Sequence, residues 1–284
     1  MNQILRSLFG ILLGAVIILG GSLQEAQAGQ RGIHVGKFYY QPGNYYQGLM
    51  RNSNMNNMFL FTGEIDPDGT IIFNVNNTRH VICRNGVYVG NSDWSWQLAG
   101  CLGGSMQRIE YCLAQWGSPT FNNIKNRINA DGTGSNTILF RNFQALKAKL
   151  PIDGVQFDDE NTYDRSTMVR FAKMLKDGCG LWISLCPYTN QGFWAGVKYD
   201  LPDRVKGVWL QCYEGGAGNN PVQWKSALAN SKLIFPGLWI NQGMDYIDSR
   251  VRPWVGQGFT GTFILADQIA TDPSWGRRLI ADGM

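Results

Sequence analysis

Apolar residues in this chain fall into short runs separated by polar or helix-periodic stretches. Eight runs read as strands: Ile33–Tyr39, Met58–Phe61, Arg108–Gln115, Ile152–Asp158, Leu181–Pro187, Gly207–Tyr213, Lys232–Ile240 and Gly261–Ala266. Most are hydrophobic nearly throughout, which is the pattern of strands covered on both faces. Between them, Asn136–Leu150 sets Ile138, Leu139, Phe143, Leu146 and Leu150 on one helical stripe. Ser166–Lys176 does the same with Met168, Phe171, Met174 and Leu175. Asp164-Arg165-Ser166 offers side chains to cap the second helix. Weaker helical patterns cover Gln242–Val255 and Pro273–Ala281. Alternating strands and helices predict a parallel α/β fold, and eight strands predict a closed (β/α)8 TIM barrel over an open sheet.

The barrel is expected to be irregular. Residues 63–107, rich in Gly, Asn and Ser, form a long insertion after the second strand. Within it, Asp66-Pro67-Asp68-Gly69 reads as a turn between Phe61 and Ile71. A calcium loop is the sharper alternative, but the proline and the short spacing favour the turn. No repeat, linker or low-complexity stretch marks a second domain, so residues 29–284 are expected to form one barrel.

The N-terminus sets the expected compartment. Arg6, an apolar core from Leu8 to Gly20, and Ala26-Gln27-Ala28 have the layout of a secretory signal peptide over residues 1–28. The alternative is a retained membrane anchor, but the apolar run is short for a span of roughly 20 residues. Cleavage would leave a secreted or periplasmic chain beginning near Gly29, with no membrane attachment. Its length suits a single barrel of roughly 250 residues. The formal net charge of +4 is carried by scattered residues, so nucleic-acid binding and polybasic membrane binding have no support.

Six cysteines in an exported chain allow disulfides. They show no Cys-x-x-Cys spacing, and His34 and His80 are the only histidines, so neither a zinc site nor any other metal is indicated. Cys112, Cys186 and Cys212 sit in apolar runs, as buried free thiols do. Cys83 and Cys101, flanking one inserted segment, are the expected pair.

The densest chemistry lies in residues 152–164. A buried strand ends in Asp158, Asp159 and Glu160, with Gln156, Asp158 and Glu160 on one face and Val155, Phe157 and Asp159 on the other. Neighbouring carboxyls push each other's pKa values apart, so one stays protonated while the other is an anion. The plain alternative is a solvated loop or a cation site. In (β/α)8 enzymes the active site lies at the C-terminal strand ends. That rule brings Asp158, Glu160, Tyr188, Tyr213, Glu214, Asn241, Asp267 and Gln268 to one rim. Trp94 and Trp96 in the insertion, with Tyr45 and Tyr46, are candidate cleft aromatics. Trp182 and Trp209 read as core.

Asp153-Gly154-Val155-Gln156-Phe157-Asp158-Asp159-Glu160 resembles the Asp-Gly-x-Asp-x-Asp-x-Glu signature of glycoside hydrolase family 18, closest to its endo H type. Asn57–Asp68, Trp182–Tyr188 and Gln211-Cys212-Tyr213-Glu214 resemble the family's second, fifth and sixth strands. The resemblance implies a retaining, substrate-assisted glycosidase without cofactor, acting on β-1,4-linked N-acetylglucosamine in chitin-type oligomers or the N-glycan chitobiose core. By resemblance, Glu160 is the general acid and base, Asp158 orients the acetamido group and meets the oxazolinium charge, and Tyr213 bonds the acetamido oxygen. Asp153, Gln156, Gln211, Tyr188, Glu214 and Asp267 are implied as substrate-binding. Two positions depart from the family pattern. Gln156 replaces the middle Asp, which leaves Asp158 ionised more persistently, and residues 263–267 lack the tryptophan that floors the −1 sugar site. A glycan-binding, lectin-like protein on the same barrel is the alternative. An unrelated barrel enzyme such as a phosphodiesterase lacks the His and metal ligands it needs.

Overall fold

A computed structural model of the chain describes residues 29–36, 38–40, 43, 45–114, 117–266 and 274–284. The expected signal segment, the side chain of Tyr45, and Asp267 with Gln268 lie outside the described residues.

Eight parallel strands close a barrel. They are β1 (Gln30–Gly36) and β2 (Asn57–Ile65), then, after an antiparallel insertion β3 (Ile71–Val75), β4 (Thr78–Arg84) and β5 (Val87–Tyr88), the strands β6 (Arg108–Ala114), β7 (Gly154–Asp158), β8 (Trp182–Leu185), β9 (Val205–Gln211), β10 (Ile234–Trp239) and β11 (Gly261–Ala266). Pairing runs β1-β11-β10-β9-β8-β7-β6-β2 and returns to β1, so the barrel has no free edge. The helices between the strands are α1 (Tyr45–Arg51), α2 (Trp94–Cys101), α3 (Thr120–Asp131), α4 (Ile138–Lys149), α5 (Arg165–Lys173), α6 (Gln191–Asp200), α7 (Pro221–Ala227) and α8 (Met244–Gly256), with α9 (Ser274–Ala281) after β11. Among the described residues no helix is long and apolar enough to cross a membrane.

Each expected strand and helix is present, Gly261–Ala266 with the expected ends and the others with shifted ones, and the sequence patterns explain the caps. Thr137 Oγ1 accepts from Phe140 N at the start of α4, and Asp164 accepts from Thr167 N at 2.9 Å at the start of α5. The Asp66–Gly69 segment is the expected turn: Gly69, at φ +83°, donates to Asp66 O. Among the described residues no cluster of metal-ligating side chains forms there or elsewhere. The inserted segment is structured. β2 continues past the rim and pairs antiparallel with β3 through Gly63–Phe73 and Ile65–Ile71. The hairpin is tied to the barrel by Tyr111 OH donating to Ile72 O, Asn123 Nδ2 to Ile65 O and Asn142 Nδ2 to Gly69 O.

The expected Cys83–Cys101 pair does not form. All six cysteines are buried free thiols; the Cys101 thiol, for instance, donates to Gln97 O within α2.

Two apolar regions hold the fold. The larger lies between barrel and helices. The smaller fills the barrel with Phe59, Cys112, Cys186, Trp209, Tyr213, Phe235 and Phe263. Packing inside is tight enough to demand glycine: a Cβ on Gly237 would sit 2.1 Å from the Phe263 ring. Trp209 is core as expected, whereas Trp182 is half-buried, with Lys176 and Lys206 ammonium groups against its ring.

Candidate active site

The barrel interior is layered by strand register. Gly154 lies beside Glu110 and Trp182, Gln156 beside Cys112 and Ser184, and Asp158 beside Ala114 at the C-terminal mouth. A cleft of about 590 Å³ opens over that mouth. Its walls include Asp158 and Glu160 from the end of β7, Tyr188 after β8, and Gln211, Tyr213 and Glu214 from the end of β9. His34, Phe61, Cys186, Trp239 and Leu265 complete it.

Asp158 is buried and its Oδ1 accepts from Gln211 Nε2 at 2.9 Å. The same Gln211 nitrogen donates to Cys186 O at 3.1 Å, which fixes the amide. Burial pushes the Asp158 carboxyl well above its usual range, the Glu160 charge adds to this, and the Gln211 bond opposes it. Burial and then the Asp159 charge raise Glu160 as well. The Glu160 charge acts on Asp158, so the two carboxyls titrate as a linked pair. The expectation of a persistently ionised Asp158 took the absence of a charged neighbour into account but not burial, which acts the other way.

Asp159 faces away from the cleft, as strand alternation requires. It is buried, and its carboxylate accepts backbone N–H bonds from Asn161, Thr162 and Tyr163 at 2.9–3.1 Å. Those bonds wind the turn behind Glu160 and hold that side chain over the mouth. Tyr213 is buried, and its hydroxyl is pushed well above the ordinary phenol range by burial, so it remains a neutral donor.

Gln156 lies one layer below the cleft, fully buried, where its Oε1 accepts from His34 Nε2. Asp153 lies apart from the site. At the entry to β7 its Oδ2 accepts from Ile109 N at 3.1 Å, and its backbone bonds Ile109 and Trp182, so it joins the strand starts at the far end of the barrel. Among the candidate aromatics, Trp94 is fully buried against Tyr39 and Phe73, Trp96 is exposed on α2, and Tyr46 packs on Phe38. None of these three lines the cleft. Asn241, just past β10, is exposed and lies outside the lining.

Sequence reasoning missed His34, Phe61, Cys186, Trp239 and Leu265. Cys186, Trp239 and Leu265 stand at the C-terminal ends of their strands or just past them, and His34 and Phe61 lie within β1 and β2 at the level of the mouth, positions readable once barrel register is known. Trp239 ends β10, one strand before the position where the family resemblance led us to look for an aromatic floor.

A second hollow of about 490 Å³ shares Phe61 and Leu265 with the first and adds Thr62, Glu64, Asn74, Asn76 and Asn77 from β2 and the hairpin. Glu64 accepts from Asn74 Nδ2 at 2.7 Å and from Arg79 Nε at 2.9 Å.

No protein-family model and no curated protein matches the sequence. Solved structures do. The spore cortex-lytic enzyme SleL of Bacillus cereus superposes with TM-score 0.62 at 12% identity, over 90% of this chain and 74% of that one. A chitinase of Bacteroides thetaiotaomicron gives 0.58 at 13%, over 90% and 97%. The tamarind chitinase-like lectin gives 0.54 at 13%, over 88% and 99%. The chain shares the (β/α)8 barrel fold of these proteins.

Proposed function

We propose that this chain is a secreted retaining glycosidase of the glycoside hydrolase family 18 type, acting on β-1,4-linked N-acetylglucosamine glycans. The observation that carries the reading is the pairing of Asp158 and Glu160, both with raised pKa, beside Tyr213 and Gln211 in one cleft at the barrel mouth. Barrel enzymes place their chemistry at this end.

In this reading Glu160 protonates the glycosidic oxygen. The substrate's own acetamido oxygen attacks the anomeric carbon, displacing the leaving group and forming an oxazolinium ion. In the reactive form Glu160 carries the proton and Asp158 the negative charge, which faces the developing cation, while the Tyr213 hydroxyl donates to the acetamido oxygen. Glu160, now an anion, removes a proton from the water that opens the ring. Trp239 supplies the apolar platform for the sugar. The second hollow gives a polymer room beyond Phe61 and Leu265, which suits cleavage within a chain. The family likeness of the β7 motif, the endo H resemblance and the chitinase-type fold support the same substrate class. Residues 1–28 act as the export signal, and N-terminal sequencing of exported protein should begin near Gly29.

Turnover of a fluorogenic N-acetylglucosamine oligomer, compared with release of glycan from a high-mannose glycoprotein, tests the activity and assigns the substrate. Glu160→Gln should lower kcat by about 10² to 10⁴-fold while ligand still binds. Wild-type protein that binds chitooligosaccharides and hydrolyses neither substrate would overturn the enzyme reading in favour of a lectin-like one.

A further inference from the structure

His34 enters the barrel from β1 and Gln156 from β7, and both are buried, 2% and 0% exposed. The imidazole is stacked on Phe59 at 4.6 Å and meets the edges of Phe61 and Phe263 at 6.3 and 5.0 Å. Its Nε2 lies 2.5 Å from Gln156 Oε1. Two polar atoms remain without partners at this level, His34 Nδ1 and Gln156 Nε2. Unpaired buried polar atoms cost stability, and an apolar pair would fill this space without them. Packing alone therefore does not account for an imidazole facing an amide beneath the cleft.

We propose that His34 is a positioning residue: its imidazole holds the Gln156 carbonyl oxygen, fixes a neutral amide beneath the cleft, and keeps position 156 from sharing a proton with Asp158. The proposal rests on the glycosidase reading for what the pair does, though not for the contact itself.

A neutral imidazole has one donor and one acceptor nitrogen. Nε2, facing a carbonyl oxygen, must carry the hydrogen, and Nδ1 the lone pair. With its oxygen committed, Gln156 has only its NH2 left to offer. Gln156 and Asp158 share one face of β7, and a carboxylate accepts only, so the amide is the complementary neighbour. Gln211 donates to Asp158 Oδ1, and Gln156, one layer below on the same strand face, is an amide that neither takes nor releases a proton. Its charge is set by burial, Gln211 and Glu160, with no relay deeper into the barrel.

The arrangement also fixes what a carboxylate at 156 would do. It would meet the His34 Nε2–H before it met Asp158, and would form an imidazolium–carboxylate pair there. In the wild type, burial holds His34 down at about 4, against the pull of the Gln156 bond. The other titratable groups around it are Cys186 on β8, with Sγ 4.0 Å from Nε2, Cys112 on β6 and Tyr213 on β9. All three are held neutral by burial, so Asp158 and Glu160 are the acids above the pair, and Glu110 on β6, bonded to Ser184 and raised to about 6 by burial, is the acid one layer below it.

The chain has two histidines, so NMR of nitrogen-labelled imidazoles gives two pairs of ring-nitrogen signals, with His80 as the internal control. Wild-type His34 at pH 7 should be the neutral Nε2–H form, and Gln156→Asp should convert it to imidazolium. The acid limb of the pH–kcat profile should stay in place in Gln156→Asp and move only in the double variant His34→Phe/Gln156→Asp, where the new carboxyl has lost the imidazole and can share a proton with Asp158. His34→Phe alone should lower kcat about 2- to 10-fold with KM unchanged, as expected for losing one neutral hydrogen bond. An Nδ1–H tautomer in the wild type overturns the proposal, as does a His34 that stays neutral in Gln156→Asp with single and double variants sharing one profile. If the wild type turns over no N-acetylglucosamine glycan, the glycosidase reading fails, and the tautomer and its response still decide whether His34 holds Gln156.

Discussion

Gln211→Leu probes the electrostatics of the site most directly. The substitution roughly conserves volume and deletes the donor that reaches Asp158 Oδ1 at 2.9 Å and Cys186 O at 3.1 Å. A hydrogen bond to a charged acceptor contributes about 1.5–3 kcal/mol. The bond favours the anion, so its loss raises the Asp158 pKa further. At about 1.4 kcal/mol per pH unit, the acid limb of kcat/KM should move upward by about 1–2 pH units. The defect should be largest at low pH and recover above the displaced limb. The assay is a pH–rate series on wild type and variant, with urea unfolding at each pH to separate chemistry from stability. A limb that stays in place under a uniform drop in rate would show that Gln211 does not set the charge on Asp158.

Three other outcomes are expected. Asp158→Asn should lose activity and gain stability at neutral pH. A folded pKa above the unfolded value means the wild type is most stable below the unfolded pKa and loses stability as pH rises toward the folded one; urea midpoints should therefore coincide near pH 3 and diverge in the variant's favour toward pH 7. Trp239→Ala should cost about 0.5–1.5 kcal/mol of sugar binding, a 2- to 12-fold fall in kcat/KM carried mainly by KM, with Trp239→Phe close to wild type. Gly237→Ala forces a methyl onto the Phe263 ring and should destabilise by about 1–3 kcal/mol, partly relieved by Phe263→Leu, as read from urea midpoints.

The barrel was legible because its strands are covered on both faces and so read as continuous apolar runs. Strand ends were less so. β1 begins at Gln30 rather than Ile33 because Gln30, Arg31 and Gly32 carry no apolar signal yet pair with Gly261, Thr262 and Phe263. α3 escaped notice because Phe121, Ile124 and Ile128 are its only large buried apolar residues in an asparagine-rich stretch. The hairpin β3–β4 was hidden in a segment whose Gly and Asn content reads as loop. At the site, Asp158, Glu160 and Tyr213 were visible because the first two lie two residues apart in one motif and the third belongs to a strand-end motif. His34, Phe61, Trp239 and Leu265 were not, since each comes from a different strand and by itself looks like core. Asp153 belongs to the same sequence motif as Glu160, yet the strand carries it to the opposite end of the barrel.

The inserted hairpin is a cantilever whose root is a barrel strand. β2 pairs with β1 and β6 for most of its length and then, without a break in the chain, with β3. Bending the outer arm would mean shearing the ladder of the closed barrel or breaking the bonds from Tyr111, Asn123 and Asn142. The ion pairs of Arg79 with Glu64 and Asp66 brace its two arms against each other. The bank that carries Asn74, Asn76 and Asn77 is therefore stiff before any ligand arrives. If glycans bind as proposed, one meeting this bank slides along a fixed quay rather than waiting for a gate to swing, so association should proceed in a single phase whose rate rises linearly with ligand concentration.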